Sequence, residues 1–412
     1  MKYNFKIVAL AGIGAILEVY DFLLYVIFSA EIVDTFFSNI ISNNIKAFIT
    51  IAIFSITYLV RPIGAISLGL LGDRYGRKKV FTLTIILMGL ASICMGLMPS
   101  YASWGLFASI TFVLFRILQG FALSGELPAA YVIVYESTSK RMGLNLSILL
   151  AFVLAGFIFA TTVCMLLQYL FGSYAWRVGF ILGGGLAVFG YYARLKLVET
   201  PLFKQIKHRK KKPLLKLLKE NALNIFTGFC FAMLFAVGTI ILLQYSNFYI
   251  SHLLNIKDTS SIMIPVQITV IIAVIAFGFI SDRVGFTKMY LLGCVLLLIT
   301  IPIVFYLMSS FTSVLLGMIF LITCYAIGAS VTLFFLCDIF PTEFRLTGVA
   351  LSYGLNSAFV GGLCPIISAM VMTKGKPWMG PSVAAILCLI FSLLAIFMYK
   401  KIGGYYSLRK VN

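Results

Sequence analysis

Twelve apolar runs, each long enough to cross a lipid bilayer, leave this chain few folds to choose from. A helix needs about 20 apolar residues to traverse the hydrocarbon core. The runs lie near residues 7–32, 45–71, 79–98, 104–135, 142–171, 176–196, 221–249, 260–280, 288–308, 312–337, 345–372 and 379–399. Backbone polar groups in lipid must be satisfied inside a helix or a closed barrel, and none of the runs alternates as a barrel strand does. An all-α membrane protein with twelve transmembrane helices is therefore expected. A mean hydropathy of +1.06 and a charged fraction of 11% exclude an ordinary soluble domain, in which about a quarter of the residues are charged. The first run follows Lys2 and Lys6 as the apolar part of a signal peptide would. Glu18 and Asp21, however, replace a small-residue cleavage site, and the pattern continues past them, so the run is expected to remain as a span.

The formal charge of +19 invites a nucleic-acid reading that the distribution of charge removes. With the N-terminus inside, cytoplasmic segments hold 25 of the 32 Lys and Arg, outer segments hold Lys46, Arg177, Lys257, Lys374 and Lys376, and Arg61 and Arg116 lie within helices. Basic residues are retained on the cytoplasmic side. The excess thus reports topology, with both termini cytoplasmic, and contact with anionic membrane lipid; no nucleic-acid partner is implied. All eight cysteines fall within predicted spans without a CxxC, and the only histidines are His208 and His252. Neither a metal site, a cofactor nor a disulfide framework is expected. With no intramembrane histidine and no nucleotide-binding loop, the chain does not read as an enzyme.

The basic stretch ETPLFKQIKHRKKKPLLKLLKE divides the chain into an N-terminal six-helix half (1–198), a cytoplasmic basic linker (199–220) and a C-terminal six-helix half (221–412). The linker reads as a solvated loop. The halves echo one another. GDRYGRKK at 72–79 recurs as SDRVGFTK at 281–288, an offset of 209, and YESTSKRMG at 135–143 recurs loosely as FPTEFRLTG at 340–348, with Arg141 and Arg345 offset by 204. Both offsets are near half the chain length, as duplication of a six-helix unit requires, and parallel repeats of this kind place substrate between the halves.

GDRYGRKK, taken with Gly69, resembles the loop motif G-x-x-x-D-[RK]-x-G-[RK]-[RK] of the major facilitator superfamily, through Gly69, Asp73, Arg74, Gly76, Arg77 and Lys78. The resemblance implies a cytoplasmic latch between the halves, with Asp282, Arg141 and Arg345 as the related positions. Physically, the small residues allow close packing, Gly76 permits a tight turn, and Asp73 can meet an arginine or a helix N-terminus. Four stretches resemble more closely the metabolite:proton symporters of that superfamily, the group of proline/betaine, alpha-ketoglutarate, citrate and shikimate transporters. They are LEVYDFLLY at 17–25, YLVRPIGAISLGLLGDRYGRKK at 58–79, FRILQGFALSGELPAAYVIVYE at 115–136 and FPTEFRLTGVALSYGLNSAFVGGLCPII at 340–367. Leu127 and Pro128 depart from the osmolyte branch, and no C-terminal coiled coil follows Lys401, which leaves the substrate open. The resemblance implies a multi-pass protein of the plasma (inner) membrane, functional as a monomer, that carries a small-molecule metabolite with a proton as coupling ion.

Ionisable groups at mid-membrane are costly and mark function. Glu18, Asp21, Arg61, Arg116 and Glu126 lie at such positions. Glu18 and Asp21 are three residues apart and share a helix face that Tyr25 continues. Two carboxylates so close in a low dielectric do not both ionise easily, which suits a proton carrier. Arg116 is expected to compensate Asp21 as an ion pair and, with Arg61, Tyr25, Gln119 and Asn356, to meet substrate; Glu126 is a second proton site or an inner-gate residue. The C-terminal half offers only polar groups such as Gln244, Gln267 and Asn356. Three embedded carboxylates against two arginines lean away from a multiply charged anion and permit a zwitterion. Tyr20, Phe22 and Tyr25 flank Asp21 and could offer faces to an ammonium group. The leading expectation is a proton-coupled symporter of a small zwitterion or carboxylate, proline/betaine-like osmolytes favoured, working by alternating access. The alternatives are a di- or tricarboxylate (alpha-ketoglutarate or citrate) symporter using Arg61 and Arg116 together, and a sensor built on a transporter fold.

Overall fold

The computed structural model describes residues 2–37, 43–206, 213–238, 260–308, 311–374 and 379–405. Gln244, His208 and His252 lie outside the described residues. The helices are α1 (Lys2–Ile27), α2 (Ser29–Phe36), α3 (Asn43–Leu59), α4 (Arg61–Tyr75), α5 (Arg77–Leu97), α6 (Tyr101–Trp104), α7 (Leu106–Ser137), α8 (Met142–Phe171) and α9 (Ala175–Leu195). They continue with α10 (Pro201–Ile206), α11 (Leu214–Glu220), α12 (Ala222–Ala236), α13 (Ser260–Val284), α14 (Phe286–Leu307), α15 (Phe311–Asp338), α16 (Arg345–Lys374) and α17 (Met379–Ile402). Each of the twelve apolar runs falls mainly on helix where it is described, and no strand occurs among the described residues.

Two runs expected as single helices are interrupted within, 7–32 at Phe28 between α1 and α2 and 45–71 at Val60 between α3 and α4. The break between α3 and α4 precedes Pro62, whose ring nitrogen carries no hydrogen to bond back to Tyr58. The ladder resumes at once, Ile63 N and Gly64 N both donating to Val60 O over 3.1 Å. The repeated turn behaves alike in both halves: Gly76 and Gly285, 209 residues apart, sit at φ +125° and +103°, where a side chain would be strained.

Within the N-terminal half α1 packs on α8, and α5 on α7 and α9; within the C-terminal half α15 packs on α13 and α14, and α12 on α16 and α17. Two seams join the halves, α4 against α16 and α13 against α8. These pairs exchange under the repeat, since α4 corresponds to α13 and α8 to α16. Each half thus offers the same two helices to the other, and the space enclosed between the seams is where the site lies.

Candidate functional site

Residues of both halves line a cavity of about 90 Å³, among them Glu18 and Phe22 from α1, Tyr58 and Arg61 from the α3/α4 break, and Tyr353 and Asn356 from α16. Arg61 is 8% exposed. Its guanidinium carbon lies 4.4 Å from the Tyr58 ring centroid and 5.8 Å from that of Phe22. Aromatic faces therefore hold the charge, and Arg61 forms no ion pair among the described residues, its Nε being without a hydrogen-bond partner. Glu18, 5% exposed, shares the cavity wall, so the cavity presents one carboxylate and one guanidinium.

Asp21 sits behind this wall. Its Oδ2 accepts from Ser92 Oγ at 2.5 Å and from Gln119 Nε2 at 2.7 Å, and Gln119 Oε1 in turn accepts from Arg116 at 2.7 Å. The expected Asp21–Arg116 ion pair is corrected here: the amide of Gln119 stands between them, because Arg116 and Gln119 are one turn apart on α7 and reach for each other first. The Arg116 guanidinium lies 4.1 Å over the Tyr25 ring, and Tyr25 Oη donates to Thr50 O at 3.1 Å. Arg116, Gln119 and Tyr25 are thus buried in the N-terminal half and do not line the cavity, whereas Arg61 and Asn356 do. Of the three aromatic residues around Asp21 only Phe22 reaches it; Tyr20 donates to Gly179 O at 2.9 Å.

Glu126 is clamped. Arg194 gives it two hydrogen bonds, one of 3.0 Å to Oε2 and a shorter one to Oε1, while Thr84 Oγ1 donates to Oε2 at 2.5 Å. By position in the sequence Arg194 belongs with the basic residues of the central loop; in the fold it is fully buried at the end of α9, stacked on the Phe81 ring. The embedded tally becomes three carboxylates and three arginines. The one available signal is the cost of Glu126 itself, since a carboxylate in that environment calls for a cation at equal depth.

The residues expected to form the latch meet at the end of the bundle that carries the repeated basic turn. Asp73 accepts from Leu346 N at 3.1 Å and from Thr347 N and Oγ1 at 2.9 and 2.7 Å, capping the N-terminus of α16. Asp282 does the same for α8, accepting from Gly143 N at 2.8 Å and Leu144 N at 3.1 Å. Each motif aspartate therefore caps a helix of the opposite half. A Cβ on Gly69 would lie 2.5 Å from Thr347 Cα, so glycine is what lets α4 and α16 meet. Beneath the caps Glu136 accepts from Arg345 at 2.8 Å and lies 3.3 Å from Arg77 Nε, all three side chains at most 1% exposed. Arg77 also donates to Thr342 O at 2.5 Å, across the halves. Arg74 and Arg141 are exposed and stand outside this cluster; Arg141 instead adopts the left-handed backbone that starts α8, at φ +51°.

The linker departs from the expected solvated loop at its first residues. Glu199 accepts from Arg77 N at 3.2 Å and Lys78 N at 3.3 Å, Thr200 Oγ1 donates to Glu136 at 2.5 Å, and Phe203 lies under the Arg77 guanidinium, 4.6 Å from its carbon. Glu136 lies in the repeated stretch at 135–143 with no role expected of it there, Glu199 and Thr200 open the linker, and only the fold brings the three to these contacts.

Comparison with known proteins agrees with this architecture. A Staphylococcus aureus (strain MSSA476) protein named for proline/betaine transport is 30% identical over 420 residues, covering 97% of this chain and 89% of that one. The proline/betaine transporter of Escherichia coli (strain K12) is 29% identical over 92% of this chain and 79% of its own length. The solved structure of the proton:xylose symporter XylE bound to 6-bromo-6-deoxy-D-glucose shares the fold at a TM-score of 0.79 with 16% identity, covering 98% of this chain and 97% of that chain. An inward open XylE from E. coli matches over the same shares at 0.66. The family model of the Major Facilitator Superfamily matches residues 22–335. With its paired halves, exchanged seams and the mutual capping by Asp73 and Asp282, this chain belongs to the Major Facilitator Superfamily.

Proposed function

We propose that the protein is a proton-coupled symporter of a small zwitterion, of the proline or betaine kind, working by alternating access between its halves. The observation that carries this reading is the pairing of Arg61 and Glu18 in one cavity wall. A zwitterion has a carboxylate for the guanidinium and a cationic centre for the carboxylate and the adjacent rings of Phe22 and Tyr58. Near-full-length similarity to proteins named for proline/betaine transport supports the same class. The di- or tricarboxylate alternative would need a second available arginine. Arg116 does not line the cavity, donating to Gln119 and lying over Tyr25 with its Nε and one Nη unpartnered among the described residues, and Arg194 is engaged with Glu126.

Proton coupling is assigned to the N-terminal half, where Asp21, Glu18 and Glu126 lie, and gating to the latch around Asp73, Arg77, Glu136 and Arg345. In this state the latch end is shut by contacts between the halves, and rocking requires them to break together. By the distribution of basic residues the latch end is cytoplasmic. Reporter fusions after Pro213 and at Asn412 should both read inside, and an outer-side signal from either would overturn the orientation.

Binding of labelled betaine or proline to the purified protein tests the substrate class. Arg61→Gln is expected to weaken it by about 2 kcal/mol, roughly 30-fold, the worth of a charged hydrogen bond. Citrate should compete poorly. Strong competition by citrate, itself abolished by Arg61→Gln, would support the tricarboxylate reading instead.

A further inference from the structure

Between Asp21 and Glu18 the N-terminal half holds a small chamber of about 10 Å³, lined among others by Gly14, Gly89, Glu126 and Gly183. That volume suits one water molecule, provided that two or more polar groups face it. Such groups are present. Glu18 Oε2 and Asp21 Oδ1 are both fully buried without a hydrogen-bond partner among the described residues, and both residues line the chamber. A Cβ on Gly183 would fall 2.7 Å from Asp21 Oδ1, so this oxygen faces the glycine wall. Buried acceptors left unsatisfied by protein usually mark a bound water. The third carboxylate, Glu126, is paired with Arg194 on the chamber wall. Arg61 and Arg194 are the cations acting on Glu18, and Arg116 the one acting on Asp21; the phenols of Tyr131 and Tyr353 lie near Glu18, and that of Tyr20 near Asp21.

Glu18 belongs to two spaces at once, the chamber and the substrate cavity. Asp21 belongs only to the chamber. A proton on Asp21 therefore reaches the cavity by way of Glu18. We propose that a single water in this chamber relays the coupling proton from Asp21 to Glu18, and that the cationic end of the substrate, seated on Glu18, closes this exit until the substrate has left. In the transfer the Asp21 carboxyl gives its proton to the water, the water gives another to the Glu18 carboxylate, and Asp21 is left ionised; the water is regenerated and charge is conserved. Glu18 then releases the proton into the cavity. The order is set by occupancy: while a cation neutralises Glu18 the carboxylate is held ionised, so the proton stays on Asp21 for as long as substrate is seated.

This inference rests on the proposed symport, and the test separates the two. Parent and Gly183→Ala proteins are compared in proteoliposomes with labelled betaine, for exchange of internal against external substrate and for net uptake under an imposed inward proton gradient. The alanine methyl enters the chamber at Asp21 and leaves the cavity residues untouched. Exchange, in which the proton stays bound, is expected to remain near the parent level, while net uptake falls by about 100-fold, the scale of a lost positioned proton-transfer group. Should Gly183→Ala fail to fold, Ala187→Val intrudes on the same chamber from α9 and carries the same expectation. Unchanged net uptake in the folded variant overturns the relay. So does loss of exchange together with net uptake, since the chamber would then belong to the substrate site. A parent that accumulates no zwitterion under a proton gradient would instead overturn the symport reading itself.

Discussion

Glu136→Gln is expected to open the latch end of the protein more than any other single substitution. The Glu136 carboxylate sits between Arg77 and Arg345, and none of the three has appreciable access to solvent. Removing the shared anion leaves two buried guanidinium groups facing each other, and breaking a buried pair in this way costs about 3 to 5 kcal/mol. The cost falls on the closed latch, because Arg345 reaches Glu136 from the opposite half and separation of the halves lets water solvate it. A bias of about 3 kcal/mol changes the ratio of closed to open states by more than 100-fold. The thiol of Cys337 reports this change. It is fully buried beside the cluster, its own carbonyl accepting from Arg345 Nε at 3.1 Å. Alkylation by a water-soluble maleimide, followed residue by residue with mass spectrometry, should accelerate strongly at Cys337 in Glu136→Gln and stay unchanged at Cys164, which lies in another cluster of the N-terminal half. Equal rates at Cys337 in variant and parent would contradict the latch.

Asp21→Asn is expected to separate exchange from accumulation. The amide keeps an oxygen able to accept from Ser92 and Gln119, so the network behind the cavity survives while the proton site is lost. Internal substrate should still exchange for external substrate, because the loaded site can rock without releasing a proton. Uphill accumulation should fall to the level of passive equilibration. If Asp21→Asn still concentrates substrate as the parent does, and a protonophore still collapses the gradient, the coupling proton resides on Glu18 or Glu126.

Much of this architecture was legible in residue order, and the reason is the solvent. Lipid demands long apolar helices, which made each of the twelve segments visible by length alone. Duplication made Asp73 and Asp282 visible as a pair, and their capping of α16 and α8 is the helix-terminus role that an acidic residue in a basic turn suggested. Mid-membrane charges were visible because they are expensive. What escaped was partnership across long sequence distances. Glu126 and Arg194 are 68 residues apart, and Arg194 at the end of its span looked like one more basic residue of the loop. Glu136 and Arg345 are 209 apart, joined by a seam that no local pattern announces. Gln119 between Arg116 and Asp21 shows the limit of depth matching: equal heights brought the two charges near, but rotation about α7 decided what stood between them. Tyr353 entered the cavity wall for a similar reason, facing inward on a helix whose polar residues had drawn attention only to Asn356.

Proton-driven uptake of a zwitterion through the Arg61 and Glu18 cavity can be measured in proteoliposomes of the purified protein. Labelled betaine and labelled proline are offered outside under an imposed inward proton gradient, without sodium. Accumulation above the external concentration, collapse on addition of a protonophore, and loss of the signal in Arg61→Gln are expected. Accumulation of citrate but of neither zwitterion, or zwitterion accumulation indifferent to the proton gradient, would contradict proton-driven zwitterion uptake.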